Sequence, residues 1–172
     1  MEGIGKQQSF KKNRKIEFEK HEQIILINCG RVKISYFSPT GHEKILYILS
    51  SGDLIGDIDF YTIENQNYRI TTLIDSQVTL ISRVDFEKKI KGNSELYESL
   101  IGSIIRKYQI MRTQLIDNLF MNAEGKIASI ILRLGKQEGV TVNGCVEYYY
   151  LKHQDIANLL GCSRVTVSRV LH

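Results

Sequence analysis

The first half of the chain alternates. In Arg31-Val32-Lys33-Ile34-Ser35-Tyr36 polar and apolar residues take turns, which sends them to opposite faces of a half-buried strand. Runs of the same kind at 44–49, 69–74 and 77–81 are separated by turn material: Ser38-Pro39-Thr40-Gly41, Ser51-Gly52-Asp53 and Asp75-Ser76. Short strands with regular turns predict a β-sandwich or roll over residues 14–86. After Gly92-Asn93-Ser94 the period lengthens, and Leu96, Leu100, Ile104, Tyr108, Met111 and Leu115 recur every three or four residues behind Asn93 or Ser94 as a cap. A helix to about Asn118 is expected. Tyr97, Ile101, Ile105, Ile110 and Ile116 widen its apolar surface beyond one stripe, enough to serve the roll on one side and a second helix on the other. A helix packed only on its own domain is the alternative. A hinge near Asn122-Ala123-Glu124, a helix over 125–134, and a hairpin turning at Asn143-Gly144 complete the pattern up to residue 151.

Composition narrows the class. A chain of 172 residues can bury a core without staples. Its three cysteines, Cys29, Cys145 and Cys162, are odd in number and form no C-x-x-C pair, which suits a reduced cytoplasmic protein better than a secreted scaffold. No signal peptide opens the chain and no apolar run reaches membrane-spanning length, so no membrane partner is expected. The formal net charge is +4, and beyond Gly125 the cations Lys126, Arg133, Lys136, Lys152, Arg164 and Arg169 outnumber the acids Glu138, Glu147 and Asp155. That bias suits phosphates, although it is equally the mark of a solvated surface.

The segment His153-Gln154-Asp155-Ile156-Ala157-Asn158-Leu159-Leu160-Gly161 decides between those readings. Ile156, Leu159 and Leu160 share a helical face, and Gly161 permits the backbone of a tight turn. Ala157 is small where two helices must cross closely, and Val167 fills the angle between them. The second helix, 163–171, opens on a Ser cap and buries Val167 and Val170, leaving Arg164, Val165, Ser168 and Arg169 on or near the opposite face. This is a helix-turn-helix able to read DNA: arginine bonds O6 and N7 of guanine, Ser163, Thr166 and Ser168 can hold phosphate or base edges, and Val165 can touch a thymine methyl. An ordinary helical hairpin with exposed cations is the bland alternative.

On these residues the chain resembles the Crp/Fnr family of bacterial regulators. Cys162-Ser163-Arg164-Val165-Thr166-Val167-Ser168-Arg169-Val170-Leu171 is similar to that family's recognition helix. Gly30-Arg31-Val32-Lys33-Ile34-Ser35 and Ser51-Gly52-Asp53-Leu54-Ile55-Gly56-Asp57 resemble its sensor roll. The Val-Thr-Val-Ser-Arg run and Gly41-His42-Glu43-Lys44-Ile45-Leu46-Tyr47 are closest to its halorespiration branch. The resemblance implies an α+β fold: an antiparallel, jelly-roll-like β-roll sensor of the cyclic-nucleotide-binding kind over 1–92, a long dimerisation helix over 93–121, and a helix-turn-helix domain over 122–172 without its wing. It implies a homodimer through 96–119 on double-stranded DNA, with RNA polymerase as a further partner and no enzymatic activity.

Position by position, Arg164 and Arg169 match base- and phosphate-contacting arginines, and Lys152, His153 and Gln154 match phosphate contacts. Val165 departs from the Glu of members resembling the cyclic AMP receptor protein, which moves the expected half-site towards A·T-rich sequence. In the sensor the residues matching the family's nucleotide contacts are Asp57, Arg69 and Ile70, with Met111 and Arg112 on the long helix. Asp57, Arg69, Tyr108, Met111 and Arg112 form the expected effector pocket. A shorter acid and an isoleucine that cannot donate a hydrogen bond do not suit cyclic AMP, so an unknown small effector is expected, with no cofactor and no metal. The family continues into a β-wing and begins with an extra helix, so the chain is expected to be truncated at both ends. A ligand-sensing dimerisation module that does not bind DNA productively is therefore the second reading.

Overall fold

The computed structural model of the chain describes residues 5–62, 68–138, 140–142, 145–147 and 151–172. Eight strands come first: β1 (Lys6–Phe10), β2 (Lys15–Ile16), β3 (Gln23–Cys29), β4 (Arg31–Phe37), β5 (Glu43–Ser50), β6 (Leu54–Ile55), β7 (Tyr68–Thr72) and β8 (Ser76–Ser82). They form two four-stranded antiparallel sheets, in the orders β1-β8-β3-β6 and β2-β7-β4-β5. The alternation in the sequence is what closes the roll. Val32 and Ile34 of β4 face inward onto Ile25, Ile27, Ile70 and Val78, so Lys33 and Ser35 must face outward. Gly30, between β3 and β4, has φ 103° and passes so close to Ser76 that a Cβ would sit 2.2 Å from its Oγ. Only glycine fits both demands.

A register shift between Ile34 and Ser35 against β5 changes which β5 residues point out. Tyr47 and Leu49 remain in the roll's core, whereas Ile45 and Ile48 belong to a different cluster, on the helical side of the sheet. Bulges re-aim side chains in this way.

Helix α1 (Arg83–Ile90) begins where the Ser82 side chain accepts from the Asp85 amide, and its Phe86 and Ile90 pack with Leu100 against the roll. Helix α2 (Ser94–Phe120) is capped by Asn93, whose side chain accepts from the Leu96 amide at 3.1 Å. It stops at Met121, which turns extended at φ −109° and ψ 145°. Then follow α3 (Ala123–Glu138), the antiparallel pair β9 (Val140–Val142) and β10 (Cys145–Glu147), α4 (His153–Leu160) and α5 (Arg164–Leu171). The expected turn residues Asn143 and Gly144 lie outside the described residues. Among those described, no helix is long and apolar enough to cross a membrane.

The roll and the C-terminal helices share a core. Ile45, Ile48 and Leu73 of the roll pack with Ile127, Ile130 and Leu134 of α3, with Ile156, Leu159 and Leu160 of α4, and with Val167 of α5.

Candidate nucleic-acid interface and effector cavity

Helix α4 ends at Gly161, which adopts φ 72° and donates its amide to the Ala157 carbonyl at 2.8 Å. The Cys162 amide donates to the same carbonyl at 3.1 Å, so the turn is closed by its own backbone. Ser163 then starts α5, its Oγ accepting from the Thr166 amide at 3.0 Å. Ala157 and Val167 are both fully buried, as the close crossing of two helices requires. His153 Nδ1 and Ser168 Oγ, 3.0 Å apart, bond across the angle between them.

This packing leaves one side of the pair open. Lys152, Gln154, Ser163, Arg164, Val165 and Arg169 are exposed, Val165 by 76%, while His153, Thr166 and Ser168 are half-buried. Among the described residues no carboxylate pairs with Arg164 or Arg169. The structure therefore brings every sequence-expected DNA contact onto α4, α5 and the turn, with both guanidiniums available for phosphate or base edges.

The expected effector residues divide differently. A cavity of about 260 Å³ lies between the inner side of β4 and β5 and helix α2, and Asp57 and Met111 line it, together with Tyr36, Tyr47, Tyr68 and Lys107. Arg69, Tyr108 and Arg112 do not. Arg69 follows the strand alternation: Tyr68 and Ile70 turn inward, so Arg69 points out, where its guanidinium stacks 4.3 Å from the Phe37 ring centre. Tyr108 is 62% exposed on the far side of α2, and Arg112 lies exposed one turn further along.

Sequence reasoning missed Lys107. Its Nζ sits 2.5 Å from both Asp57 oxygens and 3.1 Å from Ser103 Oγ, which itself donates to Asp57 at 2.8 Å. Lysine and aspartate side chains are only 5% and 2% exposed. Burial pushes the Lys107 ammonium below its ordinary value, and the Asp57 charge offsets part of that. Tyr68 donates to Asp59 at 2.5 Å, and burial together with that carboxylate pushes its phenol well up. Burial likewise pushes the Tyr47 phenol up to about 12, and its hydroxyl donates to Met111 Sδ. The one available signal was spacing: Leu100, Ser103, Lys107 and Gln114 fall on one helical face, but polar residues there read as a solvated side.

Residues 7–93 match the family described as "Cyclic nucleotide-binding domain", and residues 151–172 match "Bacterial regulatory proteins, crp family". The chain belongs to the Crp/Fnr family of transcription regulators. A "CRP-like cAMP-activated global transcriptional regulator" of Mycobacterium tuberculosis is 26% identical over 156 residues, covering 90% of this chain and 70% of that protein. Among solved structures, FixK2 of Bradyrhizobium japonicum superposes with a TM-score of 0.78 at 21% identity, covering 98% of this chain and 83% of that one. The "c-di-GMP Responsive Global Regulator CLP" of Xanthomonas campestris reaches 0.83 at 14% identity, covering 96% and 84%. Like other Crp/Fnr members, the chain is a DNA-binding regulator and not an enzyme, built as an antiparallel roll followed by a long helix and a helix-turn-helix.

Proposed function

We propose that the protein is an effector-responsive, sequence-specific regulator acting in the cytoplasm, which reads an A·T-rich twofold-symmetric site as a homodimer. The carrying observation is the open side of α4 and α5, where Arg164, Val165 and Arg169 stand exposed and the arginines lack a carboxylate partner among the described residues. Val165 has no hydrogen-bonding group, so at its base pair a thymine methyl is the favourable contact. The dimer forms through α2, which exposes Tyr97, Ile101, Ile105, Tyr108, Leu115 and Leu119 at three-, four- and seven-residue spacing. RNA polymerase is the natural further partner of such a regulator.

The effector enters the cavity beside α2. Its volume lies just below the roughly 300 Å³ at which ligand pockets begin, and Lys107, the lysine lining it, is already neutralised by Asp57. Among the described residues lining the cavity, a cyclic phosphodiester would meet no cation but the paired Lys107, with Arg69 turned away. A small, mostly apolar molecule with one or two groups able to bond the tyrosine hydroxyls fits better. Its binding displaces residues on β4 and β5, the strands on which the DNA-binding helices rest.

Titration of duplex DNA tests the reading. Arg169→Ala is expected to weaken binding and to lower the slope of log affinity against log salt by about 0.9, the share of one phosphate contact. An unchanged affinity and slope would remove α5 from the interface.

A further inference from the structure

Met121 and Asn122 join α2 to α3, and Asp117 of α2 braces that junction by accepting from Ser129 of α3 at 2.7 Å, but neither contact reaches α4 or α5. Reading a symmetric site demands a fixed angle, because two half-sites one helical turn apart, about 34 Å, are met together only if both helix pairs are held in register. The polar contacts that reach α4 itself lie on the outer face of the roll. Lys33 Nζ is 2.9 Å from Asp155 Oδ1 of α4 and 3.0 Å from Glu43 Oε1 of β5, with all three side chains less than one-fifth exposed. Glu43 in turn accepts from Ser35 Oγ at 2.6 Å and from Asn158 Nδ2 of α4 at 2.6 Å. Lys44 donates to the Leu159 carbonyl at the end of the same helix.

Asp155 has two tasks here. Its Oδ2 accepts from the Lys152 amide and so caps α4, while Oδ1 takes the lysine. The start of α4, from which His153 and Gln154 face phosphate in the proposed complex, is thereby tied to a strand of the sensor.

Resting on the DNA-binding reading above, we propose that Lys33 and Glu43 are positioning residues for DNA recognition, clamping α4 to the sensor so that α5 meets its half-site at a fixed orientation. Neither residue touches DNA. The clamp grips Asp155, Asn158 and the Leu159 carbonyl, and leaves Gln154, Arg164 and Arg169 exposed, so the docked arrangement is compatible with reading. The hydrophobic contacts of Ile45 and Ile48 with α4 supply adhesion, but apolar contact is non-directional. Charge-assisted hydrogen bonds have directions, and three of them along one helix, at Asp155, Asn158 and the Leu159 carbonyl, define its rotation as well as its place.

The experiment uses the palindromic duplex that the wild-type protein selects from random sequence, and the same duplex lengthened by one or two base pairs at its centre. Lys33→Met is expected to weaken binding to the selected duplex about tenfold, the scale of a lost charged hydrogen bond. Binding to the lengthened duplexes should hardly change, so spacing discrimination falls. Asn158→Ala should act in the same direction but less, and Lys33→Arg should restore discrimination. Hydrogen exchange, read without DNA, should rise in α4 and in β5 together while the rest of the roll keeps its protection. Undiminished spacing discrimination in Lys33→Met, or tighter binding by it, would overturn the proposal. So would unchanged exchange at α4 and β5. A wild-type protein that selects no duplex fails the DNA-binding reading itself, and is recognised as such because the unmutated chain is silent.

Discussion

Lys107 and Asp57 are the most consequential side chains outside the DNA interface. Two charges out of water are held by each other and by Ser103, and removing one leaves the other stranded. Lys107→Met is therefore expected to lower the stability of the fold by roughly 3–5 kcal/mol, measured by urea unfolding. Pairing it with Asp57→Leu should recover most of the loss, since no buried charge then remains unpaired. A loss from the single substitution no larger than that from the pair would show that the ion pair carries no such penalty. At the DNA-facing side, Val165→Glu introduces an acceptor for the amino group of cytosine. It is expected to move one base pair of the half-site from A·T to G·C, with a discrimination of about 1–3 kcal/mol, read by competition between matched duplexes. These two positions differ in how far the sequence revealed them. Val165 stands in a motif whose every neighbour has a steric reason, so its exposure followed from the pattern. Lys107 sits in a polar interval of an amphipathic helix, and only the packed roll shows that this side is buried.

At the scale of elements, period was a sound guide and face was not. The alternation of β4 and the turn glycines gave strands where strands are found, and the Ala157, Gly161 and Val167 pattern gave the helix-turn-helix with its Ser163 cap. The direction of α2 could not be read the same way. Its side towards the roll carries Ser103, Lys107 and Gln114, each satisfied: Gln114 donates to the Leu46 carbonyl at 2.9 Å. Its richest apolar side is left exposed, with Leu119 67% accessible. A helix spends polar residues on a core-facing side only when partners wait there, and those partners, Asp57 just beyond β6 and the Leu46 carbonyl of β5, come from distant parts of the chain. The exposed stripe gives a direct expectation: Ile105→Glu places a charge in the seam and should convert a dimer to a monomer in sedimentation equilibrium, leaving the circular dichroism unchanged. A dimer of undiminished affinity in that variant would place the seam elsewhere.

The whole molecule is organised around β4 and β5. Their inner face lines the cavity through Ile34, Tyr36 and Tyr47, while their outer face carries Lys33, Glu43, Ile45 and Ile48 against the DNA-binding helices. Nothing in the sequence announced this, because Lys33 and Glu43 occupy the outward positions of half-buried strands and such positions are ordinarily wet. In the proposed reading, a ligand bound beside α2 is coupled to the orientation of α5 through this one pair of strands. Everything proposed for the protein requires α4 and α5 to read duplex DNA as a symmetric pair. The most direct measurement is selection of duplexes from a random pool by the purified protein, at two salt concentrations. The expected result is enrichment of a twofold-symmetric, A·T-rich sequence with half-sites about 10 base pairs apart, and recovery that falls steeply with salt. Recovery of no preferred sequence, or of one without symmetry, would contradict it.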